Sequence, residues 1–393
     1  MPKDNNEGTG RRATMTDVAK RAGVSQSTVS LVLNGTPGMR LSEPTRQRVL
    51  KAAEALGYQL PGGRPHLALA RRGAASAQAQ VAPLIVYLAD EISTSPHPVV
   101  SIDGAKDEAW THGAVVAVFA ARSNAEIESA VLATMLASPN LVGVIYSTVF
   151  TRQARVPQLL HQVPTVLLNC YEEPAGEAAA GSAPQRQRAS ATIAPPRLSS
   201  IVPAEVAGGH AATERLIEQG HRRIALINGE PWMDAAQDRL KGYRRALASH
   251  DIAFEPRLVR TGDWQVATGY EHTLSLMAEP LPPTAIFCAN DLMAVGCLEA
   301  LRSLGLAVPG DVSVIGYDDQ EIAQHTHPPL TTLVLPNYEM GRLAVEVLLA
   351  ERASPDARRR RLKVEGRIVE RSTVGAPAVT AKVRKARPEK SRA

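Results

Sequence analysis

The sequence predicts an α/β fold in which a small three-helix headpiece precedes a two-lobed body of doubly wound parallel sheets. Two observations carry this prediction. Residues 13–58 show helical spacing of apolar residues around a glycine turn, and from Pro83 onward short apolar strands alternate with helical patterns in two successive sets. Continuous apolar strands separated by helices are typical of parallel sheets that are buried on both faces. Two such sets indicate two lobes.

The first helices have the pattern of a helix-turn-helix. Val18 and Ala22 recur at helical spacing, Gly23 follows as a helix stop, and Ser25 begins the next helix. Glycine ends helices because the left-handed conformation costs it little, and serine caps helix N-termini. The second helix is rich in short hydroxyl and amide side chains, which suit phosphate oxygens and base edges in a DNA groove. A generic small helical bundle is the alternative.

The charge is unevenly distributed along the chain. Residues 1–73 hold 12 basic and 5 acidic residues, and residues 376–393 hold 6 basic and 1 acidic residue, although the net charge of all 393 residues is only +5. The body between them is therefore acidic. A basic end on an acidic body indicates contact with nucleic acid at that end. The basic tail lacks apolar periodicity, so we expect a disordered extension, with non-specific DNA binding as an alternative role.

These patterns predict the order of segments along the chain. A disordered N-terminus (1–12) precedes the helix-turn-helix domain (13–60), a hinge or linker (61–80), the two-lobed body (81–375) and the basic disordered tail (376–393). Residues 174–198 form a low-complexity insertion in the body, which we expect to be a mobile loop. The absence of an apolar leader or membrane-length run, and three cysteines within apolar stretches, predict a cytoplasmic, nucleoid-associated protein.

The N-terminal sequence resembles the headpiece of the lactose-repressor (LacI/GalR) family. The resemblance rests on the run from Thr16 to Ser25, on residues 28–30 and 33–35, and on Leu56-Gly-Tyr58. It implies that bases are read by Gln26, Ser27 and Leu31, and that phosphates are contacted by Met15, Ser25, Thr28, Ser30, Asn34, Ser42 and Thr45. Leu31 departs from the long polar or basic residue common in the family. An aliphatic side chain contacts a thymine methyl but cannot bond a guanine edge, so the operator sequence cannot be borrowed from relatives.

The resemblance also implies a hinge helix that forms on DNA and inserts a leucine into the minor groove. Here Ala68 or Arg72 falls at the usual position of that leucine, so Leu67 or Leu69 would have to take the role. A plain flexible linker is the alternative.

The body resembles the periplasmic-binding-protein-like effector domain of the same family, over segments that include 208–209, 220–225, 289–294 and 311–319. Ligands of doubly wound sheets bind at the carboxyl ends of the strands. Strand ends and family positions together predict an effector site made of Thr94, Ser95, Asn169, Arg239, Trp264, Asn290 and Asp318. Charged groups that pair with hydroxyls, and an indole that packs on an apolar sugar face, favour a carbohydrate. Ala204 stands where relatives often carry an effector-binding aspartate.

Structural roles are the alternatives for three of these residues. Asp318 could serve only to shape the turn after its strand, Trp264 could be ordinary core, and Arg239 could pair with Asp238 or Glu230 at the surface. No cofactor or metal is expected. The nearby histidines 325 and 327 have two-residue spacing and no further ligands, which argues against a zinc site.

The sequence as a whole predicts a homodimeric DNA-binding transcriptional regulator, expected to be a repressor, on a pseudo-palindromic operator. A single headpiece touches too few bases for specificity, so two are needed. A small carbohydrate or its phosphate, bound between the lobes, is expected to close them and to lower operator affinity. Three alternatives stay open: a purine or other corepressor with the same fold, a periplasmic sugar-binding protein, and an enzyme. The enzyme is disfavoured because neither a phosphate-cradling loop nor a nucleophile–base set is recognisable.

Overall fold

The computed structural model describes residues 15–33, 42–56, 81–172 and 196–378. The chain divides into two compact units, Met1–Gln80 and Val81–Ala393. Several predicted features lie outside the described residues: the N-terminus 1–12, the phosphate-contact candidate Asn34, the hinge candidates Leu67 and Leu69, residues 173–195 of the insertion region and residues 379–393 of the tail.

The first unit contains three helices, α1 (Met15–Ala22), α2 (Gln26–Leu33) and α3 (Glu43–Ala55). Val18, Val29 and Val49, one from each helix, are completely buried and form the centre of a small apolar core. Gly23 has a φ of +64°, so the turn between α1 and α2 uses the left-handed conformation that glycine adopts without strain. The three-helix pattern predicted from the sequence is therefore present.

The first lobe of the second unit is a parallel sheet covered by helices on both faces. Its strands are β1 (Leu84–Ala89), β2 (Val115–Ala120), β3 (Leu141–Ala154), β4 (Thr165–Glu172), β5 (Ser199–Pro203) and β11 (Arg361–Val364). They lie in the order β11-β5-β4-β3-β1-β2, and all neighbours are parallel. Helices α4 (His97–Thr111) and α11 (Asn337–Ala353) pack on one face and α5 (Ala125–Leu136) on the other.

The second lobe repeats this architecture. Its strands are β6 (Ile224–Asn228), β7 (Val259–Thr261), β8 (Ala285–Cys288), β9 (Ser313–Asp318), β10 (Thr331–Val334) and β12 (Ile368–Val369). They lie in the order β12-β10-β9-β8-β6-β7, and β12 alone among these strands runs antiparallel to its neighbour. The helices are α6 (Glu205–Glu218), α7 (Asp234–Ser249), α8 (Val266–Met277), α9 (Asp291–Ser303) and the short α10 (Ile322–His325). Single 3₁₀ turns occupy Gln158–Gln162 and Pro256–Leu258.

The chain passes between the two lobes at three places within the described residues: from β5 to α6, from β10 to α11, and from β11 to β12. The predicted fold class is confirmed. The sequence pattern missed five short strands, β5, β7, β10, β11 and β12. In β11 the residues alternate between exposed Arg361 and Lys363 and half-buried Leu362 and Val364, because this strand lies at a sheet edge. The predicted insertion extended too far, since Leu198 is buried in the core of the first lobe.

Helices α6 and α7 approach each other through glycine. A Cβ atom at Gly209 would lie 2.4 Å from the carbonyl oxygen of Arg239, and one at Gly242 would lie 2.3 Å from the carbonyl oxygen of Val206. Only glycine leaves room for backbones at this distance. The close approach positions Arg239 of α7 beside the start of α6.

Replacing Gly242 by alanine should therefore destabilise the second unit. The added methyl group meets backbone rather than a mobile side chain, and overpacking of this kind costs about 1–3 kcal/mol. The matched control is Gly310→Ala, because a Cβ there would find its nearest neighbour, Cβ of Ala307, at an ordinary 3.5 Å. Urea denaturation of both variants checks the difference, and equal stabilities would contradict this account of the helix packing.

Candidate functional site

A cavity of about 350 Å³ lies between the two lobes, at the carboxyl ends of their strands. The seven residues predicted for the effector site all line it: Thr94, Ser95, Asn169, Arg239, Trp264, Asn290 and Asp318. The volume is within the range of small-molecule sites, which is about 300–1,000 Å³. Asp90, another strand-end residue, is not among the lining residues. It accepts a hydrogen bond from the Val149 amide at 2.9 Å and one from Arg152, also at 2.9 Å.

Arg239 forms the charged centre of the cavity wall. Its Nε and Nη2 donate to the two carboxylate oxygens of Glu205 at 2.8 and 2.9 Å, and its Nη2 lies 3.7 Å from Oδ1 of Asp318. Its Nη1 donates to the carbonyl of Ala289, and its guanidinium lies 3.6 Å from the ring centre of Tyr317. The side chain is only 4% exposed. The alternative of surface pairing with Asp238 or Glu230 is therefore wrong.

The electrostatic environment keeps Arg239 charged. Burial alone would lower its pKa, but the neighbouring Glu205, Tyr317 and Asp318 together raise it above the ordinary value. A bidentate arginine–carboxylate pair is strong and directional. Glu205 was missed by the sequence analysis, which noted only the missing aspartate at Ala204. The signal was present in the adjacent residue, an acidic side chain at the start of a helix that faces the cavity.

Asp318 is the second carboxylate of this wall, and it shapes the turn as well. Its φ of +111° and that of Asp319, +55°, bend the chain sharply after β9. Gln320 donates to its Oδ2 at 3.1 Å, and Nε2 of His97 lies 3.6 Å from the same oxygen. Burial raises the pKa of Asp318, while His97 and Arg239 oppose that rise. Since His97 belongs to the first lobe, the contact crosses the cavity.

Trp264 lies at the cavity with its indole half-buried. Its Nε1 donates to Sδ of Met233 at 2.9 Å, and the Arg239 guanidinium lies 5.6 Å from its ring centre. The residue has a φ of +68° and also packs against an apolar cluster of the second lobe. Core packing and cavity lining, which the sequence left as alternatives, are thus combined in one side chain.

The two predicted asparagines use their amide groups within the protein. Asn290 caps α9 by accepting from the Met293 amide at 2.8 Å, and it donates to the carbonyl of Trp264 at 2.9 Å. Asn169 donates to two carbonyls of β3 at 3.0 and 2.8 Å and accepts from Thr151 at 2.5 Å. Both residues therefore fix the cavity wall, which sequence position alone did not reveal.

Further polar residues line the cavity that the sequence analysis did not select: His97, Thr151, Glu205, Glu230, Asp263, Gln265 and Gln320. Most of them follow strand ends or begin helices, and this position along the chain is the signal by which the sequence could have identified them. Among the described residues, the lining thus holds one arginine and four carboxylates, those of Glu205, Glu230, Asp263 and Asp318.

The first unit presents the geometry expected of a DNA-reading element. Ser25 caps α2, since its Oγ accepts from the Thr28 amide at 3.2 Å. Val29 and Val32 of α2 are buried in the small core of this unit. At the start of α3, the hydroxyls of Ser42 and Thr45 lie 2.9 Å apart. Met15 is the first residue of α1.

Two family models match the chain. The one described as bacterial regulatory proteins, lacI family, covers residues 14–60, and the periplasmic binding protein-like domain covers residues 213–374. The transcriptional repressor PurR of Aliivibrio fischeri is 31% identical over 366 residues, which is 92% of this chain and 98% of the relative. The transcriptional regulator CelR of Thermobifida fusca is 32% identical over 351 residues, 88% of this chain and 94% of the relative. The chain belongs to the LacI family.

Solved structures agree with this assignment. The complex of transcriptional regulator CelR with cellobiose has a TM-score of 0.57 and 28% identity, covering 92% of this chain and 100% of that chain. The lac repressor dimer bound to operator and the anti-inducer ONPF has the same TM-score and identity, covering 93% of this chain and 100% of that chain. This LacI-family chain is thus a DNA-binding transcriptional regulator with a helix-turn-helix and a periplasmic-binding-protein-like body.

Within the described parts of this LacI-family chain, no helix is long and apolar enough to cross a membrane. The same residues contain no group of three or more histidine, cysteine or acidic side chains that could hold a metal ion.

Asp291, at the start of α9, does not line the cavity itself but bonds to Gln320 of the cavity wall. It is fully buried, and it accepts from the Thr332 hydroxyl at 2.6 Å and from the Gln320 amide at 2.8 Å. Burial raises its pKa well above the ordinary value, and the nearby Asp318 raises it further.

The stabilities of wild type and Asp291→Asn should therefore diverge with pH. A raised carboxyl pKa means that the folded state binds the proton more tightly, so stability is lost as pH rises from about 4 through the folded pKa. Wild type should lose stability relative to the variant across that window. Urea denaturation between pH 4 and 8 measures the difference. Asp263→Asn is the control, because a hydrogen bond from Thr268 lowers the pKa of Asp263, so its contribution changes only below about pH 4 and its difference from wild type should stay flat between pH 4 and 8. A pH-independent difference for Asp291 would contradict the account.

Proposed function

We propose that this protein is a homodimeric repressor whose operator affinity is controlled by an uncharged carbohydrate bound between its lobes. The observation that carries the proposal is Arg239, buried in the cavity wall with Glu205 and Asp318 and flanked by Trp264. Such an array offers charged partners to sugar hydroxyls and an indole face to sugar carbon–hydrogen bonds. A relative solved with cellobiose supports the same ligand class.

The charge of the cavity favours a neutral sugar over a sugar phosphate. The only arginine or lysine among the described lining residues is Arg239, and its positive charge is already offset by the carboxylates of Glu205 and Asp318. A phosphate would have to enter a space bordered by two further carboxylates, Glu230 and Asp263. Like charges in a partly desolvated site repel one another strongly. An uncharged polyol avoids this cost.

The effector roles that we propose differ among the predicted residues. Arg239, Asp318 and Trp264 act directly on the ligand, and Thr94 and Ser95 add hydroxyls from the first lobe. Asn169 and Asn290 hold the walls through their own hydrogen bonds. A ligand that contacts both lobes favours the closed arrangement, and differential binding of that kind couples to operator affinity by about 1–3 kcal/mol.

The DNA-binding roles remain those that the sequence predicts. Gln26, Ser27 and Leu31 read bases, while the phosphate contacts come from Met15, Ser25, Thr28, Ser30, Asn34, Ser42 and Thr45, and Leu67 or Leu69 enters the minor groove. The lac repressor dimer on its operator, a similar structure, supports a dimer on a pseudo-palindromic site. We further propose a cytoplasmic, nucleoid-associated protein that binds its ligand without transforming it.

Removing the indole of Trp264 should abolish most effector binding. A thermal-shift screen of the full-length protein against neutral sugars, sugar phosphates and purines identifies the ligand, since a tight ligand raises the melting temperature. Trp264→Ala should then weaken binding by at least about tenfold, or about 1.4 kcal/mol, in calorimetry. Trp232→Ala is the matched control, because that indole is 67% exposed and does not line the cavity.

A purine that stabilises the protein and tightens DNA binding would instead favour the corepressor alternative, which is consistent with the similarity to PurR. Stabilisation by sugar phosphates in preference to neutral sugars would contradict the charge argument.

Substitutions in the headpiece should separate specificity from affinity. Gln26→Ala should relax base preference in binding-site selection without changing the salt dependence, because a base contact releases no counterion. The double variant Lys20→Ala/Arg21→Ala should weaken binding to all duplexes and flatten the plot of log affinity against log salt by about one unit per lost phosphate contact. Both cations are exposed on α1. Fluorescence anisotropy measures the slopes, and an unchanged slope would count against phosphate contact by α1.

A further inference from the structure

A cluster of arginines lies at the edge of the first lobe that is opposite the cavity. The strands of this sheet are parallel, so their carboxyl ends border the cavity and their amino ends share the other edge. Arg358, Arg359 and Arg360 directly precede β11. The amide of Arg360 donates to Oγ of Ser199, the first residue of β5, at 3.0 Å. This hydrogen bond holds the three arginines at the amino ends of the strands.

Arg352, near the end of α11, lies at the same edge. Its Nη1 donates to the carbonyl of Leu141, the first residue of β3, at 3.4 Å. It also lines an open cavity together with Val81, Pro83 and Asn140. Val81 is the residue at which residues 1–80, with the helix-turn-helix, are covalently joined to the second unit. The arginines and the covalent connection to the DNA-binding unit therefore share one edge of the sheet.

The cluster is positive on a body that is otherwise acidic. Residues 351–361 contain five arginines and two acidic residues, whereas residues 74–375 contain 26 basic and 33 acidic residues. Arg359 is held by Glu351 at 2.9 Å. Arg352, Arg358 and Arg360 are exposed, and none of the three forms an ion pair within the described residues.

Protection of a sheet edge does not account for these arginines. Exposed charges along an edge strand prevent pairing with another chain. In β11 that role falls to Arg361 and Lys363, which belong to the strand itself. Arg361 is further engaged by the ring of Tyr171, whose centre lies 3.9 Å from its guanidinium. Arg358 and Arg360 precede the strand, so they do not protect its unpaired edge.

We propose that Arg352, Arg358 and Arg360 contact the phosphate backbone of the DNA that flanks the operator. Guanidinium groups suit phosphate oxygens because they offer several donors in a planar fork. The contact would be independent of sequence and would add to the affinity and the salt dependence that the headpiece provides. This inference rests on the proposed operator binding, and the experiment below separates the two.

The test compares two duplexes, the wild-type full-length protein and three double variants of it. Both duplexes contain an operator recovered by selection from a random library. One ends at the half-sites, and the other extends by about one helical turn, or about ten base pairs, on each side. Wild type should bind the extended duplex more tightly, and Arg358→Ala/Arg360→Ala should lose most of that gain. Each lost contact should reduce the change in affinity between about 50 and 200 mM salt by about threefold.

The matched control is Arg302→Ala/Arg367→Ala, which removes the same charge from exposed positions of the second lobe. It should behave as wild type on both duplexes. Arg358→Lys/Arg360→Lys should restore most of the salt slope, because the charge is kept. Failure of selection to recover any operator would overturn the proposed function. An operator that is bound equally well with and without flanks by wild type would overturn this inference alone.

Discussion

The buried cation Arg239 is the constraint on which the cavity depends. An unpaired charge in the interior is very costly, and removing one partner of a buried pair typically costs about 3–5 kcal/mol. Arg239 is therefore tied to Glu205 at the start of α6 and to Asp318 at the end of β9. The start of α6 lies close enough to α7 because the two helices pack through Gly209 and Gly242. Arg239 and its two carboxylate partners thus join two helices and a strand at the cavity.

The same network extends across the cavity to the first lobe. His97 lies 3.6 Å from Asp318, and the Tyr171 hydroxyl donates to Asp234 at 2.7 Å. A ligand that takes up Asp318 competes with His97, and a ligand that adds bonds to both lobes compensates for that loss. The balance between protein–protein and protein–ligand contacts across the cavity would determine how far a ligand favours one arrangement of the lobes over another.

Sequence reasoning reached the fold class from the alternation of strands and helices. It reached five of the seven predicted cavity residues from strand ends, and Arg239 and Trp264 from family position. Parallel strands place their carboxyl ends together, so the order of strands and helices along the chain is enough to group Asn169, Asn290 and Asp318. What the sequence did not reveal was the distribution of hydrogen bonds. Glu205 accepts hydrogen bonds from Arg239, and the side-chain amides of both asparagines bond to backbone groups. The strands β5, β7, β10, β11 and β12 were missed because segments of two to five residues carry too little apolar periodicity.

The carboxyl ends and the amino ends of the strands in the first sheet have different roles, and this separation limits how ligand binding can affect DNA binding. The effector cavity borders the carboxyl ends, whereas Val81 and the arginines lie at the amino ends. Strands buried on both faces do not deform easily, because their side chains are close-packed. A ligand therefore cannot act by bending the sheet. A rotation of the whole lobe about the three connecting segments would instead displace every group at the amino ends of the strands together. A regulator built in this way needs no conformational change within the lobe to change its affinity for DNA.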